Sequence, residues 1–338
     1  MNYHFVFADE AEAVARFEAA HALQTEKRFR EAISEYDQVL QLPDGDYSRY
    51  ARWNKAMALL ALGDYQEGFI HHDIAWDLFD WGGFGPLSAD DHKRLCATLP
   101  RWFGEQGLSN KHLLIYHEMG HGDAIQAARW LPVLARSCAG LTLVTLPPLV
   151  KLLRRLGVEV VDRLPENLER YDYRLPCFGV MRALHVTTET VPNAPYIPDV
   201  EWRRVRGQVG IVWSGRSQRM FSLEKFLQLF DRRDYKLFAL QLGPTTNDVE
   251  PMPWSCFDDT ARLIEQLEHV VSVDTATVHL AAAMGHPSVH LILPYLQCWR
   301  WYCADKWYPR LRLYRQETPD DWAAPFARLN EALHELSV

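Results

Sequence analysis

An excess of positive charge is the first thing this 338-residue sequence lacks: Lys and Arg number 36 against 44 Asp and Glu, a net charge of −8. Without a cationic field to gather phosphate backbones or anionic lipid, nucleic acid is not an expected partner. No long hydrophobic run is present either. The most apolar later stretch, residues 279–295, is interrupted by His286, Pro287 and His290 and is too polar to span a bilayer. The first residues show no basic segment followed by a sustained apolar one, so no secretory leader and a cytoplasmic location are expected. Six cysteines occur, none in a Cys-x-x-Cys pair, which argues against zinc ribbons and dithiol redox motifs and for reduced, mostly buried thiols.

What the sequence does contain begins with a repeat. At an offset of 36, Phe17 falls on Trp53, Ala20 on Ala56, Phe29 on Tyr65, Ala32 on Gly68 and Tyr36 on His72. Small residues recur where two antiparallel helices would have to approach closely, and large ones recur beside them. The pattern resembles tetratricopeptide repeats, whose usual period is about 34 residues. Two copies are recognisable, too few to bury a large core alone, so they are expected to lean on the rest of the chain. Trp81-Gly-Gly-Phe-Gly-Pro86 reads as the linker signal that ends this region.

From Lys111 onward short apolar runs alternate with amphipathic segments. Residues Leu113–Tyr116, Leu141–Thr145 and Val158–Val161 read as strands, with helices over Ala124–Ser137 and Pro148–Leu156. A second series has strands at Val209–Trp213, Lys236–Leu242, Val270–Val273 and Ser288–Leu293. Its helices fall near Leu223–Phe230, Thr260–Leu267 and Thr277–Ala283. Two such series imply two Rossmann-like lobes with parallel sheets. The expected fold class is therefore α + α/β: helical repeats over 1–85, a linker over 86–110, and lobes over 111–205 and 206–338.

Residues His117-Glu-Met-Gly-His121 match the His-Glu-x-x-His zinc signature literally. That chemistry needs both histidines one turn apart on a helix, whereas Leu113–Tyr116 reads as a strand and Gly120 and Gly122 flank the second histidine. The helix is expected to start after the glycines, and zinc hydrolysis is carried only as a minor alternative. No metal and no cofactor are expected.

Three turns follow strands, where ligands of such lobes bind. The Gly120-His121-Gly122-Asp123 turn brings backbone close to a ligand and places a carboxylate at a helix start. The Asp274-Thr275-Ala276-Thr277 turn, with His279 one helical turn further, offers free backbone N–H groups and a helix dipole suited to a diphosphate. The loop after Val209–Trp213 carries Arg216 and Arg219, which would neutralise diphosphate charge without a metal. Plain capping by Asp123, Asp274 and Thr277 is the ordinary alternative.

These motifs occur in one order with Pro100-Arg-Trp-Phe-Gly104, Arg129-Trp130, Val212-Trp-Ser-Gly215, Trp299-Arg-Trp301, Trp307-Tyr-Pro309 and Arg315-Gln316. Together they resemble bacterial tetratricopeptide-repeat proteins that carry a heptosyltransferase-like (family 9) glycosyltransferase region of the GT-B fold. The resemblance implies a glycosyltransferase that moves a sugar from a nucleoside-diphosphate sugar to a glycan or protein acceptor, with inversion and without metal. It also implies Asp123 as general base, and Arg216, Arg219, Asp274, Thr275, Ala276, Thr277 and His279 on the nucleotide-sugar side. Gly120, His121 and Gly122 would form the acceptor-side turn, facing the Asp274–His279 turn across one cleft. A protein partner on the repeats is a further expectation. The alternative from another class is a non-catalytic interaction protein in which a degenerate transferase fold supports the repeats.

Overall fold

The computed structural model describes residues 8–42, 45–78, 85–215, 221–231, 235–243, 245–252 and 254–336. The linker signal at 81–84, Arg216 and Arg219 lie outside them. Among the described residues no helix is long and apolar enough to cross a membrane.

Four helices come first: α1 (Ala8–Thr25), α2 (Phe29–Val39), α3 (Asp46–Leu62) and α4 (Tyr65–Leu78). They form two successive hairpins, and the offset of 36 is visible in the backbone. Lys27 (φ 62°) and Gly63 (φ 83°) hold the left-handed turn at equivalent places, and α2 and α4 begin at the equivalent Phe29 and Tyr65. The small residues sit where close approach requires them. Ala20, Ala32, Ala56 and Gly68 are all buried, and a Cβ at Gly68 would lie 2.7 Å from Leu60 Cδ2.

Residues 86–110, expected as a linker, contain a helix, α5 (Ala89–Thr98), started by Ser88, whose hydroxyl accepts the Asp91 N–H. Its Leu95, together with Leu99, packs beneath Leu114, Tyr116 and Val144 of the sheet that follows, so the segment belongs to the first lobe. Its polar face hides this from a linear reading, because only two leucines commit it to a core.

The first lobe runs β1 (His112–Tyr116), α6 (His121–Ala127), α7 (Leu131–Ala135), β2 (Gly140–Val144), α8 (Pro147–Arg154), β3 (Glu159–Val161), β4 (Tyr173–Pro176) and α9 (Gly179–Ala183). The second runs β5 (Val205–Val212), α10 (Leu223–Leu229), β6 (Lys236–Ala239), β7 (Val249–Glu250), α11 (Phe257–Ile264), β8 (Leu267–Val273), α12 (Ala276–Ala283), β9 (Val289–Leu293), α13 (Ala304–Trp307), β10 (Arg312–Arg315) and α14 (Ala323–Leu336). Every pairing is parallel, in the orders β3-β2-β1-β4 and β10-β9-β8-β5-β6-β7. Strand order reverses between β1 and β4 in one sheet and between β5 and β8 in the other. Crevices at the carboxyl ends of strands open at such reversals. The architecture is thus a helical N-terminal region followed by two parallel-sheet α/β lobes, consistent with a GT-B-like fold. Strands β4, β7 and β10 were not expected: each is short, at an edge, and carries charged or prolyl residues that break the apolar run.

The repeats are locked to both lobes. Asp73 of α4 accepts hydrogen bonds from Arg101 and, at 2.7 Å, from Arg182, while the Trp307 indole N–H donates to Tyr65 Oη at 2.7 Å. Phe29 meets Tyr302 edge-on at 5.0 Å, and the Lys27 ammonium stands 3.5 Å over the Tyr295 ring. One apolar core runs continuously from Leu60, Tyr65 and Phe69 through both sheets. The helical N-terminal region is therefore a structural member of the body.

Removing the Asp73 carboxylate would break its buried ion pair with Arg101, a loss of about 3–5 kcal/mol where such pairs are broken. Asp73→Ala is accordingly expected to lower the urea-unfolding free energy by that order; a loss under about 1 kcal/mol would show that the pair does not hold the repeats down.

Candidate active site

The turn after β1 is built by backbone strain and one carboxylate. Met119 takes a left-handed conformation (φ 70°), unusual for a side chain of its size, and redirects the chain into α6. Helix α6 begins at His121, so Gly122 lies inside its first turn; this corrects the expectation that the helix starts after the glycines. Asp123 Oδ2 accepts the Gly120 N–H at 3.0 Å, which satisfies a free donor at the helix start and offsets the cost of the glycines.

His117 stands at the end of the strand and not on a helix. Its Nε2–H donates to the Gly120 carbonyl at 3.0 Å, and Nδ1 therefore accepts from the Thr145 hydroxyl at 3.2 Å. Burial pushes its pKa down to about 4 and keeps the ring neutral. Both ring nitrogens are engaged within the fold, so the helix-borne His-Glu-x-x-His arrangement does not form. Among the described residues no three His, Cys, Asp or Glu side chains gather as a metal would need.

On the facing lobe, Thr275 is the N-cap of α12 but its side chain caps no N–H; its hydroxyl meets Ser272 Oγ at 3.1 Å. Thr277 turns inward and donates to the Leu240 carbonyl at 3.2 Å. Thr275 thus gives the first-turn amides of α12 no side-chain cap, and Asp274, Thr275 and Ala276 stay partly exposed at the strand edge. Gly215, the last described residue after β5, lies against them: a Cβ there would stand 3.3 Å from the Asp274 carbonyl oxygen. The ends of β5 and β8 therefore share the reversal point of their sheet.

The two turns meet. A Cβ at Gly122 would lie 2.9 Å from His279 Cδ2 and 3.3 Å from Ala276 Cα, so only a glycine lets α6 settle on α12 at this distance. His279, expected to face the cleft, is buried: it stacks on Trp301 with centroids 5.0 Å apart and its Nδ1 meets Tyr308 Oη at 2.9 Å. Burial first, then Arg300 and Arg129, hold its pKa well below the usual histidine range.

Sequence reading did not single out Arg300. From the segment Trp299–Trp301 it reaches across the lobes and donates to Asp123 Oδ1. Burial opposes its charge, yet Cys298, Asp123 and Asp274 together raise its pKa above the ordinary arginine value. Its Nε is buried with no hydrogen-bond partner among the described residues. A charged residue between two tryptophans was the only sequence signal. Two further side chains, Arg129 and Asp258, anchor the seam between the lobes. Arg129 donates to the Pro192 and Trp307 carbonyls, at 3.0 and 2.9 Å, and Asp258 of α11 pairs with Lys151 and Arg155 at 3.0 and 2.5 Å. A separate cavity of about 240 Å³ lies at the other end of α12, between Asn193–Pro195 and Tyr308–Leu311, away from both turns.

Residues 245–293, which carry α11, β8, α12 and β9, match the model of Glycosyltransferase family 9 (heptosyltransferase). The match is confined to that stretch of the second lobe. The chain is also 26% identical to Protein FlbA of Caulobacter vibrioides over 84% of its own length, and spans about half (55%) of that relative. Solved structures of similar shape include the E. coli heptosyltransferase WaaC with ADP, at 12% identity and a TM-score of 0.48 over 67% of this chain and 99% of that one. A glycosyl transferase of family 9 from Veillonella parvula matches at 10% identity and a TM-score of 0.45, over 69% of this chain and 98% of that one. The family 9 match includes the whole Asp274–His279 turn.

Valine at Gly122 would press on His279 and on the Ala276 backbone, which has no room to yield. Gly122→Val is expected to cost about 1–3 kcal/mol in urea unfolding, the usual range for overpacking. Gly107→Val, where a Cβ meets nothing within 4 Å, is the control and should cost less. Equal losses would contradict the contact between the turns.

Proposed function

We propose that this chain transfers a sugar from a nucleoside-diphosphate donor to a glycan or protein acceptor, with inversion and without metal. The observation that carries the reading is the β8–α12 turn. It is a helix start whose N-cap residue supplies no side-chain cap, at the reversal point of a parallel sheet, inside the segment that matches family 9. Free N–H groups and the positive end of a helix favour a diphosphate in that position. Thr275, Ala276 and Thr277 would supply amides, and Arg216 and Arg219 would approach from the neighbouring β5 loop.

In the transfer, the acceptor hydroxyl oxygen attacks the anomeric carbon as the bond from that carbon to the diphosphate oxygen breaks. The diphosphate leaves with the electron pair, and Asp123 takes the hydroxyl proton. Positive charge fixed beside the leaving group does the work that a metal would otherwise do. The repeats, fixed to the body through Asp73 and Tyr65, would present the acceptor or hold a protein partner; their two-hairpin geometry at an offset of 36 supports a tetratricopeptide-like origin.

One observation favours the second reading, a non-catalytic repeat scaffold. Both Asp123 oxygens are already engaged, one by Gly120 and one by Arg300, as a structural staple would require.

Thermal shift with ADP, GDP and UDP separates the two. A ligand that binds only the folded state, at a hundredfold its dissociation constant, adds about 2.7 kcal/mol. At least one of the diphosphates is expected to raise the melting temperature, and chelator should not reverse the effect. No response to any of the three would overturn the transferase reading.

A further inference from the structure

Arg300 is an unusual residue to bury. It comes from the nucleotide-side lobe, reaches the carboxylate of the acceptor-side lobe, and lies within electrostatic reach of Asp274 at the start of α12. Its side chain is 8% exposed and that of Asp123 is 15%. Behind the pair, buried His72 interacts electrostatically with both groups and is kept neutral by burial, which lowers its pKa to about 4. A neutral His72 therefore adds no second positive charge to compete with Arg300 for Asp123. The Arg300 Nε–H remains a buried donor with no partner among the described residues, and such groups are rare unless something else satisfies them.

We propose that Arg300 is shared between Asp123 and the donor diphosphate, so that seating the diphosphate on the α12 turn draws the guanidinium off the carboxylate and frees Asp123 to accept a proton. The inference rests on the transferase reading above and adds to it a residue and an order of events. A guanidinium has five donors in a rigid fork that suits carboxylate and phosphate alike, so the two anions compete for one cation. Held by Arg300, the Asp123 carboxylate oxygen is occupied; with the diphosphate in place, charge at the leaving group and a free carboxylate arise together. The donor would then bind productively before the acceptor is activated, which protects the donor from premature attack.

Calorimetric titration of whichever nucleoside diphosphate binds the wild-type chain tests this. Asp123→Asn, Arg300→Lys, Arg300→Gln and the double variant Asp123→Asn/Arg300→Gln would be compared, with melting curves to confirm that each folds. Asp123→Asn removes the competitor and should bind the diphosphate several-fold tighter. Arg300→Gln should bind about tenfold weaker or worse, as expected for a lost charge-assisted bond, with Arg300→Lys in between. The double variant should match Arg300→Gln, because the gain from removing Asp123 exists only while Arg300 is present. A purely structural pair predicts the opposite for Asp123→Asn, namely weaker binding along with lost stability. If the wild type binds a diphosphate but Asp123→Asn binds no tighter, or Arg300→Gln binds equally well, the sharing of Arg300 is refuted and the transferase reading survives. If the wild type binds none, both fall.

Discussion

Two helix starts meet at Gly122, one from each lobe, and a buried ion pair between Asp123 and Arg300 closes beside them. Removing a carboxylate or a guanidinium from water is costly unless a partner is held in good geometry. Here the partner belongs to the other lobe, so the pair is satisfied only while the lobes are in register. Other contacts along the seam share that dependence. Arg129 can reach the Trp307 carbonyl, and Lys151 and Arg155 can reach Asp258, only if α6 and α8 lie where the Gly122 contact puts them. The repeats brace the arrangement from outside: Asp73 grips Arg101 and Arg182 of the first lobe, and Tyr65 grips Trp307 of the second.

In the proposed function, topology makes this meeting place a site as well as a joint. In each sheet the strand order reverses beside the strand that carries the turn, at β1 and at β8 with β5. Parallel sheets leave their crevices there, and helix starts there present unpaired N–H groups. On the first lobe those donors are met by Asp123. On the second the side chain of the N-cap residue, Thr275, caps none of them. One turn is thus closed by its own carboxylate, the other is where the proposed function seats an anion, and Arg300 donates to the first while lying within electrostatic reach of the second.

Much of this was legible in the sequence wherever the signal was local. Strand, small-residue turn and helix follow one another within a dozen residues at Tyr116–Ala127 and at Val273–Ala283, so both turns were found without any knowledge of contacts. The offset of 36 was likewise readable because close helix packing forces small residues to recur. What failed to show was set by distant partners. Helix α5 is committed to the first lobe by two leucines, and β10 reads as charged because it is an edge strand. His279 was placed facing a cleft on helical spacing alone, whereas Trp301 and Tyr308, more than 20 positions away in sequence, enclose it. Arg300 gave no signal beyond its two tryptophan neighbours, since its role exists only once Asp123 arrives from 177 residues away.

Hydrogen exchange of the full chain, with and without a saturating nucleoside diphosphate, tests the central claim that these two turns form one site. The account predicts that amides of 273–279 and of 209–215 gain protection while those of 117–127 change with them, as Asp123 and Arg300 exchange partners. Protection confined to the segments around the cavity at 193–195 and 308–311, or a response at 273–279 with none at 117–127, would contradict it.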